Sequence, residues 1–171
     1  TNSDYAELSR QADEYGVFRF VLTGGEALLD KKLDELIQAL DPLKHLIILD
    51  TNGWFFDEEK AKWFAGLGGY KAQISLDSFV AEEHDAFRNK PGSYKRVIRA
   101  IKASKEAGLE LLLSTCIIKD RVFSQEFEDF LQYCDAEDVP LYVTLAKPVG
   151  SARGHDEWVC TKKDVDQLKY L

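Results

Sequence analysis

The sequence predicts an α/β fold built on a parallel sheet, and three observations carry that prediction. Apolar runs of strand length alternate with stretches of helical periodicity through the whole chain. Two of those runs, Ile47-Ile48-Leu49 and Leu111-Leu112-Leu113, are continuously apolar, as strands buried on both faces are. Every strand run is also followed by a polar or glycine-bearing segment, which is how α/β folds place their ligand sites. With 171 residues the chain is read as one domain, 1–171, with room for a core.

The elements follow in order. Ser3 or Asp4 stands as the N-cap of an opening helix, Tyr5 to Tyr15, and Val17 to Leu22 is the first strand. Leu29, Leu33, Leu36, Ile37 and Leu40 recur at helical spacing and predict a helix over Ala27 to Leu40, ended by Asp41-Pro42. His45 to Leu49 is a short apolar strand, and Asp50-Thr51-Asn52-Gly53 turns the chain. Asp57 caps a helix to about Leu67, which Gly68-Gly69 stops. Tyr70 to Leu76 is a strand, followed by a polar loop carrying His84, Asp85 and Arg88. Ser93 caps a helix over Tyr94 to Ala107, closed by Gly108. Leu109 to Ile118 is a strongly apolar strand, Ser124 caps a helix through about Cys134, and Val139 to Leu145 is the fifth strand. Lys147 to Asp156 is a loop, and Thr161 caps a last helix to Leu171.

The junction Thr23-Gly24-Gly25-Glu26 carries the most chemistry. Consecutive glycines let a backbone approach a ligand closely, and a carboxylate beside them suits an ammonium group. A second reading is open: a tight strand-to-helix turn whose Glu is favoured by the helix dipole. Placing Val at Gly25 is expected to damage turn and pocket together. The other strand ends are Asp50 to Gly53, Ser75-Leu76-Asp77-Ser78, Thr115 to Lys119, and Lys147 to Gly150.

Composition narrows the partners. A formal charge of −8 argues against a nucleic-acid backbone. Lys95-Arg96, Arg99 and Lys102 cluster at helical spacing and read as a solvated face. No apolar stretch approaches the roughly 20 residues of a membrane span, and no signal peptide is visible. Cys116, Cys134 and Cys160 are odd in number and widely spaced, so a reducing, cytoplasmic location is expected. No Cys-x-x-Cys pair is present, Cys116 falls where a small buried residue is expected, and Cys134 reads as a core contact. Methionine is absent even at position 1, so the chain reads as a fragment of a longer protein.

Taken together the strand ends resemble a known family. Val21-Leu22-Thr23-Gly24-Gly25-Glu26-Ala27-Leu28-Leu29 resembles the glycine-glycine-glutamate segment of radical S-adenosylmethionine (SAM) enzymes, and Leu49 to Gly53 is similar to their next strand end. Gln73 to Ser78, followed by His84-Asp85-Ala86-Phe87-Arg88 and Gly92-Ser93-Tyr94, resembles the branch with peptide-maturing and cofactor-building members. Lys147 to Ala152 looks like that branch's sixth-strand exit. The resemblance implies a partial (β/α)₆ TIM-like barrel, mostly parallel and truncated at the N-terminus. It also implies that Gly24, Gly25 and Glu26 hold the methionyl amino group of SAM, with Ser75 and Asp77 near the SAM carboxylate or ribose. Arg88 is assigned as a carboxylate-pairing cation or a surface arginine, and Asn52 as a ligand-orienting residue or an αL turn residue. His84-Asp85 reads as a helix-start device.

Two departures matter. Ala27 replaces the family's proline, a preference only. The Cys-x-x-x-Cys-x-x-Cys loop that holds the family's [4Fe-4S] cluster should precede Thr1, so the chain by itself is expected to be inactive. In the complete protein the resemblance implies a cluster fed by an electron donor, reductive SAM cleavage, and hydrogen abstraction by a 5′-deoxyadenosyl radical from a peptide or small cofactor-precursor substrate. The alternatives are a non-catalytic SAM- or nucleotide-binding module, and an unrelated phosphate- or sugar-binding α/β domain. Val17 to Leu22, left as an exposed edge, is expected to allow self-association.

Overall fold

A computed structural model describes residues 2–149 and 152–168 of the protein. The helices are α1 (Asn2–Glu14), α2 (Leu33–Ala39), α3 (Glu58–Gly66), α4 (Ala81–Phe87), α5 (Ser93–Glu106), α6 (Gln125–Ala136) and α7 (Lys162–Leu168). Between them lie β1 (Arg19–Leu22), β2 (Leu46–Thr51), β3 (Gly69–Ser75), β4 (Glu110–Ile117) and β5 (Leu141–Leu145). The strands stand in the sheet in chain order, β1-β2-β3-β4-β5. The α/β parallel-sheet prediction is met. The chain divides into two compact units, Thr1–Ser75 with Gly92–Leu112, and Leu76–Pro91 with Leu113–Leu171.

In the first unit β1 pairs with β2 in parallel from Arg19↔Leu46 to Leu22↔Leu49, and β2 pairs with β3 up to Thr51↔Ile74. Ile47, Ile48 and Leu49 are all buried, as their continuous apolar run predicts. Ile37, Phe56, Phe64, Ile74, Val97 and Ala100 complete a core with no measurable exposure, with Phe56 and Phe64 packed edge to face at 6.4 Å. Asp57 caps α3 by accepting the Lys60 N–H at 3.0 Å. Gly53 has φ +75°, and a Cβ there would lie 3.2 Å from Val97, so only glycine lets the β2–α3 loop rest on α5.

In the second unit Leu113 to Ile117 of β4 pairs in parallel with Leu141 to Leu145 of β5. Phe127 and Phe130 of α6 are buried, and the Phe79 ring meets Phe130 at 5.0 Å and Tyr133 at 4.4 Å, both edge on. Ser124 caps α6 through the Phe127 N–H, and Thr161 exchanges hydrogen bonds with Asp164 at the start of α7.

Several boundaries differ from expectation, each for a local reason. The predicted helix Ala27–Leu40 is broken into a 3₁₀ turn at Ala27–Leu29 and the shorter α2, because Asp30 accepts the Lys32 N–H and draws the chain out of the helix. Asp50 and Thr51 continue β2 instead of turning, held by their register with Gln73 and Ile74. The predicted polar loop around His84 is helix α4, so His84 sits inside a helix and not at its start. Ser93 is the first helical residue of α5; Gly92, at φ +83°, occupies the cap. Ser3 and Asp4 lie within α1, which already begins at Asn2. Leu112 is only half-buried because β4 alternates, and Cys116 is half-buried for the same reason. Gly150, Ser151 and the predicted helix end at Leu171 lie outside the described residues.

Gly53→Ala is expected to lower stability by about 1–3 kcal/mol, since it combines a left-handed φ with a tight contact. Urea denaturation monitored by circular dichroism measures this; a midpoint equal to the parent's would contradict the close-approach account.

Candidate functional site

Glu26 organises the strand ends of the first unit. Its φ of −154° is extended, and its carboxylate accepts three hydrogen bonds. Leu28 N–H donates to Oε1 at 3.3 Å, Thr51 Oγ1–H to the same oxygen at 2.8 Å, and Asn52 N–H to Oε2 at 2.9 Å. A carboxylate offers about four lone-pair sites, so one acceptor position remains for an incoming donor. Gly24 has φ +134°, and a Cβ on Gly24 or on Gly25 would meet nothing within 4 Å. The chain leaves open space over both glycines, which fits a ligand that presents an ammonium to Glu26. Gly24 is required by its backbone. Gly25 is not, so the expectation that Val at Gly25 damages the turn is corrected: neither its φ nor its surroundings demand glycine.

Asn52 belongs to the same cluster. It is not in the αL region; the positive φ falls on Gly53. Its turn role is carried by Oδ1, which accepts the Trp54 N–H at 2.9 Å. Thr51 Oγ1, donating to Glu26, also accepts the Gly53 N–H at 3.1 Å. Thr23 Oγ1–H reaches Asp50 Oδ2 at 3.2 Å. Ser75 ends β3, half-buried. Gly24, Gly25, Glu26 and Asn52 are thus brought together. Composition and spacing gave no sign of Thr51, although a threonine at a strand exit beside a capping glutamate could have been noted.

The second unit holds a separate polar centre around Asp77, which is fully buried. Asp77 Oδ1 accepts the Cys116 N–H at 3.0 Å, and Arg88 Nε lies 2.5 Å from Oδ2. The latter is an ion pair and not an aligned hydrogen bond, so both atoms keep their directional bonding unfilled. The Asp77 N–H donates to His84 Nδ1 at 3.1 Å, which places that ring's proton on Nε2 when it is neutral. Burial is the main cause that pushes the His84 pKa down, against the opposing pull of Asp77. Nearby, Ser78 Oγ–H and Phe79 N–H donate to Glu126 at 2.7 and 2.8 Å, and Arg121 pairs with the same carboxylate at 2.7 Å. Burial pushes Glu126 up, but those donors outweigh it and its pKa lies below the usual range. No motif marks Arg121 or Glu126 in the sequence; Ser78 falls at the end of the Gln73 to Ser78 segment but is assigned no role there.

The cysteines do not assemble. Among the described residues no group of three His, Cys, Asp or Glu side chains is placed to hold a metal ion. Burial raises the pKa of Cys116, Cys134 and Cys160, that of Cys134 to about 11, whereas cluster ligation needs thiolates. These residues do not fit an iron-sulfur cluster.

The sequence signature of the Radical SAM superfamily matches residues 2–134. The AdoMet-dependent heme synthase of Nitratidesulfovibrio vulgaris is 27% identical over 149 residues, covering 86% of this chain and 40% of that protein. GTP 3′,8-cyclase 2 of Pseudomonas aeruginosa is 30% identical over 166 residues, covering 93% of this chain and 50% of that protein. The chain therefore spans half or less of these relatives. The crystal structure of Streptococcus suis SuiB bound to precursor peptide SuiA superposes on 99% of this chain and 38% of that one, with TM-score 0.75 at 18% identity. That likeness shows the fold, the partial (β/α)₆ TIM-like barrel. Among the described residues no helix is long and apolar enough to cross a membrane.

Two outcomes follow from the buried polar centre. Arg88→Ala leaves Asp77 as a buried, unpaired charge and is expected to cost about 3 kcal/mol in urea denaturation; a loss well under 1 kcal/mol would show the pair to be idle. His84 favours its neutral form in the fold, so its contribution is present above the usual histidine pKa and is lost as pH falls from about 6.5 toward the lower folded value. Glu126 adds a second loss further down, as pH falls through its depressed folded pKa. Unfolding midpoints measured from pH 7 to pH 4 should fall throughout. His84→Ala should be about 1–3 kcal/mol less stable at pH 7 and flatter between pH 7 and 5.5, where a parallel curve would remove the histidine from the account.

Proposed function

The chain belongs to the Radical SAM superfamily, whose members are enzymes, and from that membership we propose that it forms the SAM-binding core of a radical SAM enzyme acting on a peptide or a cofactor precursor. The observation that carries the reading is the Glu26 carboxylate, held by three donors at the β1 exit beside the open backbone of Gly24 and Gly25. In this reading Glu26 takes the methionyl ammonium at its remaining acceptor position, a charge-assisted bond. Gly24 and Gly25 admit the methionyl backbone, Asn52 holds Glu26 in place, and Ser75 adds a neutral hydrogen bond from the β3 exit. Asp77 and Arg88, paired with each other, keep the second unit's β3–α4 segment in shape, so Arg88 acts first through Asp77.

SAM, when bound, supplies the source of the 5′-deoxyadenosyl group. The [4Fe-4S] cluster would be held by residues other than this chain's three cysteines. The substrate reading draws on two kinds of relative: SuiB, solved with a precursor peptide, and the heme synthase, named for cofactor synthesis.

Isothermal titration of SAM into the chain tests the site. Glu26→Gln is expected to weaken binding about tenfold to hundredfold, the loss of a hydrogen bond to a charged group, and Ser75→Ala by less. Gly25→Val should keep the parent's melting temperature while losing SAM affinity; native affinity in that variant would contradict the open-backbone role. Anaerobic iron-sulfur reconstitution of the protein extended upstream of Thr1 then tests catalysis. Cluster and 5′-deoxyadenosine are the expected products, whereas SAM binding without either would make the core a non-catalytic binding module.

A further inference from the structure

Beside the β2–α3 loop the first unit opens a cleft of about 360 Å³, which adjoins the Glu26 cluster through Leu28, whose N–H donates to that carboxylate. Its floor is aromatic. Gly53 lets the loop settle on α5, Phe56 is fully buried beneath it, and Trp54 and Phe55 are left lining the cleft, with Phe55 44% exposed. Its walls bring three cations together: Lys60 of α3, and Arg96 and Arg99 one turn apart on α5. Two acids also line it. Asp57 is engaged with the Lys60 N–H as the α3 cap, and Glu59 is exposed, so the lining carries net positive charge on a chain of formal charge −8.

The basic run on α5 is therefore not uniformly a solvated face. Lys95, Arg96 and Lys102 are exposed, and Lys102 pairs with Glu106 at 3.7 Å. Arg99 is half-buried instead, and its Nε is buried with no hydrogen-bond partner. A guanidinium is matched in charge and shape by a carboxylate. Arg96 stands 5.3 Å from the Trp54 ring centroid, which orients that guanidinium over the aromatic floor. Cations above an apolar floor match a carboxylate carried next to an apolar side chain, and the volume suits two or three residues of extended peptide.

We infer that this cleft binds an acidic segment of a peptide, with Arg99 and Arg96 receiving its carboxylate and Trp54 and Phe55 its apolar neighbour. The inference rests on the peptide arm of the function proposed above and names the chemistry that selects the peptide. Carboxylate specificity is assigned to the guanidinium of Arg99, the half-buried cation of the lining.

Fluorescence anisotropy with a labelled Glu/Leu peptide and its Gln/Leu counterpart tests this on the full chain. The Glu/Leu peptide should bind more tightly, and Arg99→Gln should weaken it about tenfold while leaving the Gln/Leu peptide unchanged. Lys102→Gln, on the same helix outside the cleft, should change neither. Phe55→Ala, at an exposed position, should weaken the Glu/Leu peptide as well, and it keeps the test open if Arg99→Gln does not fold. Equal binding of the two peptides, or native affinity in both cleft variants, would overturn the inference. Full displacement by inorganic phosphate, with the same Arg99 dependence, would make the cleft a general anion site and overturn the peptide assignment. SAM titration of the same samples separates the two readings: native SAM affinity with no acidic preference ends this inference alone, and absent SAM binding ends the SAM reading alone.

Discussion

The first unit depends on how a single carboxylate is satisfied. Glu26 stands at the exit of β1, and two of its three donors come from Thr51 and Asn52 at the exit of β2. Parallel pairing of β1 with β2 sets those residues beside it, so the glutamate joins two strand ends that the chain separates by a broken helix. The consequences pass onward. Thr51, fixed by Glu26, accepts the Gly53 N–H; Gly53 turns the chain onto α5; and that turn decides which of Trp54, Phe55 and Phe56 is buried. One satisfied carboxylate therefore shapes both a ligand-facing backbone and the aromatic loop beside it.

The second unit uses the same chemistry with less freedom. Asp77 is buried completely, bonded by the Cys116 amide and faced by Arg88, with His84 accepting its own backbone N–H. A buried ion pair contributes little net stability over an apolar core of equal volume, but it penalises any arrangement that separates its members. Its value here is specificity of the turn after β3. The Ser78–Glu126–Arg121 group adds a second constraint on that turn through the Phe79 amide, next to an aromatic contact with α6.

Much of this was legible in the sequence because periodicity and capping are local. The strands Ile47–Leu49 and Leu111–Leu113, the caps Asp57 and Ser124, and the Gly24-Gly25-Glu26 junction could all be read without tertiary information. The failures share a cause. Asp30 ends a helix through a hydrogen bond that no periodicity encodes, and β2 runs on through Asp50 and Thr51 because β3 offers partners there. His84 reads as a helix-start residue from its neighbours, yet its ring is buried inside α4 and accepts the Asp77 N–H. Arg99 read as one of four solvated cations; only packing distinguishes it from Lys95. Glu26 was found by motif, but its partners Thr51 and Asn52 needed the register of the sheet.

Cys134 illustrates what packing does to reactivity. Placed on the buried face of α6, it is 5% exposed, and burial keeps its thiol protonated far above neutral pH. Alkylating reagents attack thiolates, so this sulfur is silent while the helix stays docked and becomes reactive only when α6 leaves the core. The chain thus contains its own reporter of opening: the rate at which Cys134 is labelled counts how often the second unit lets go of its helix.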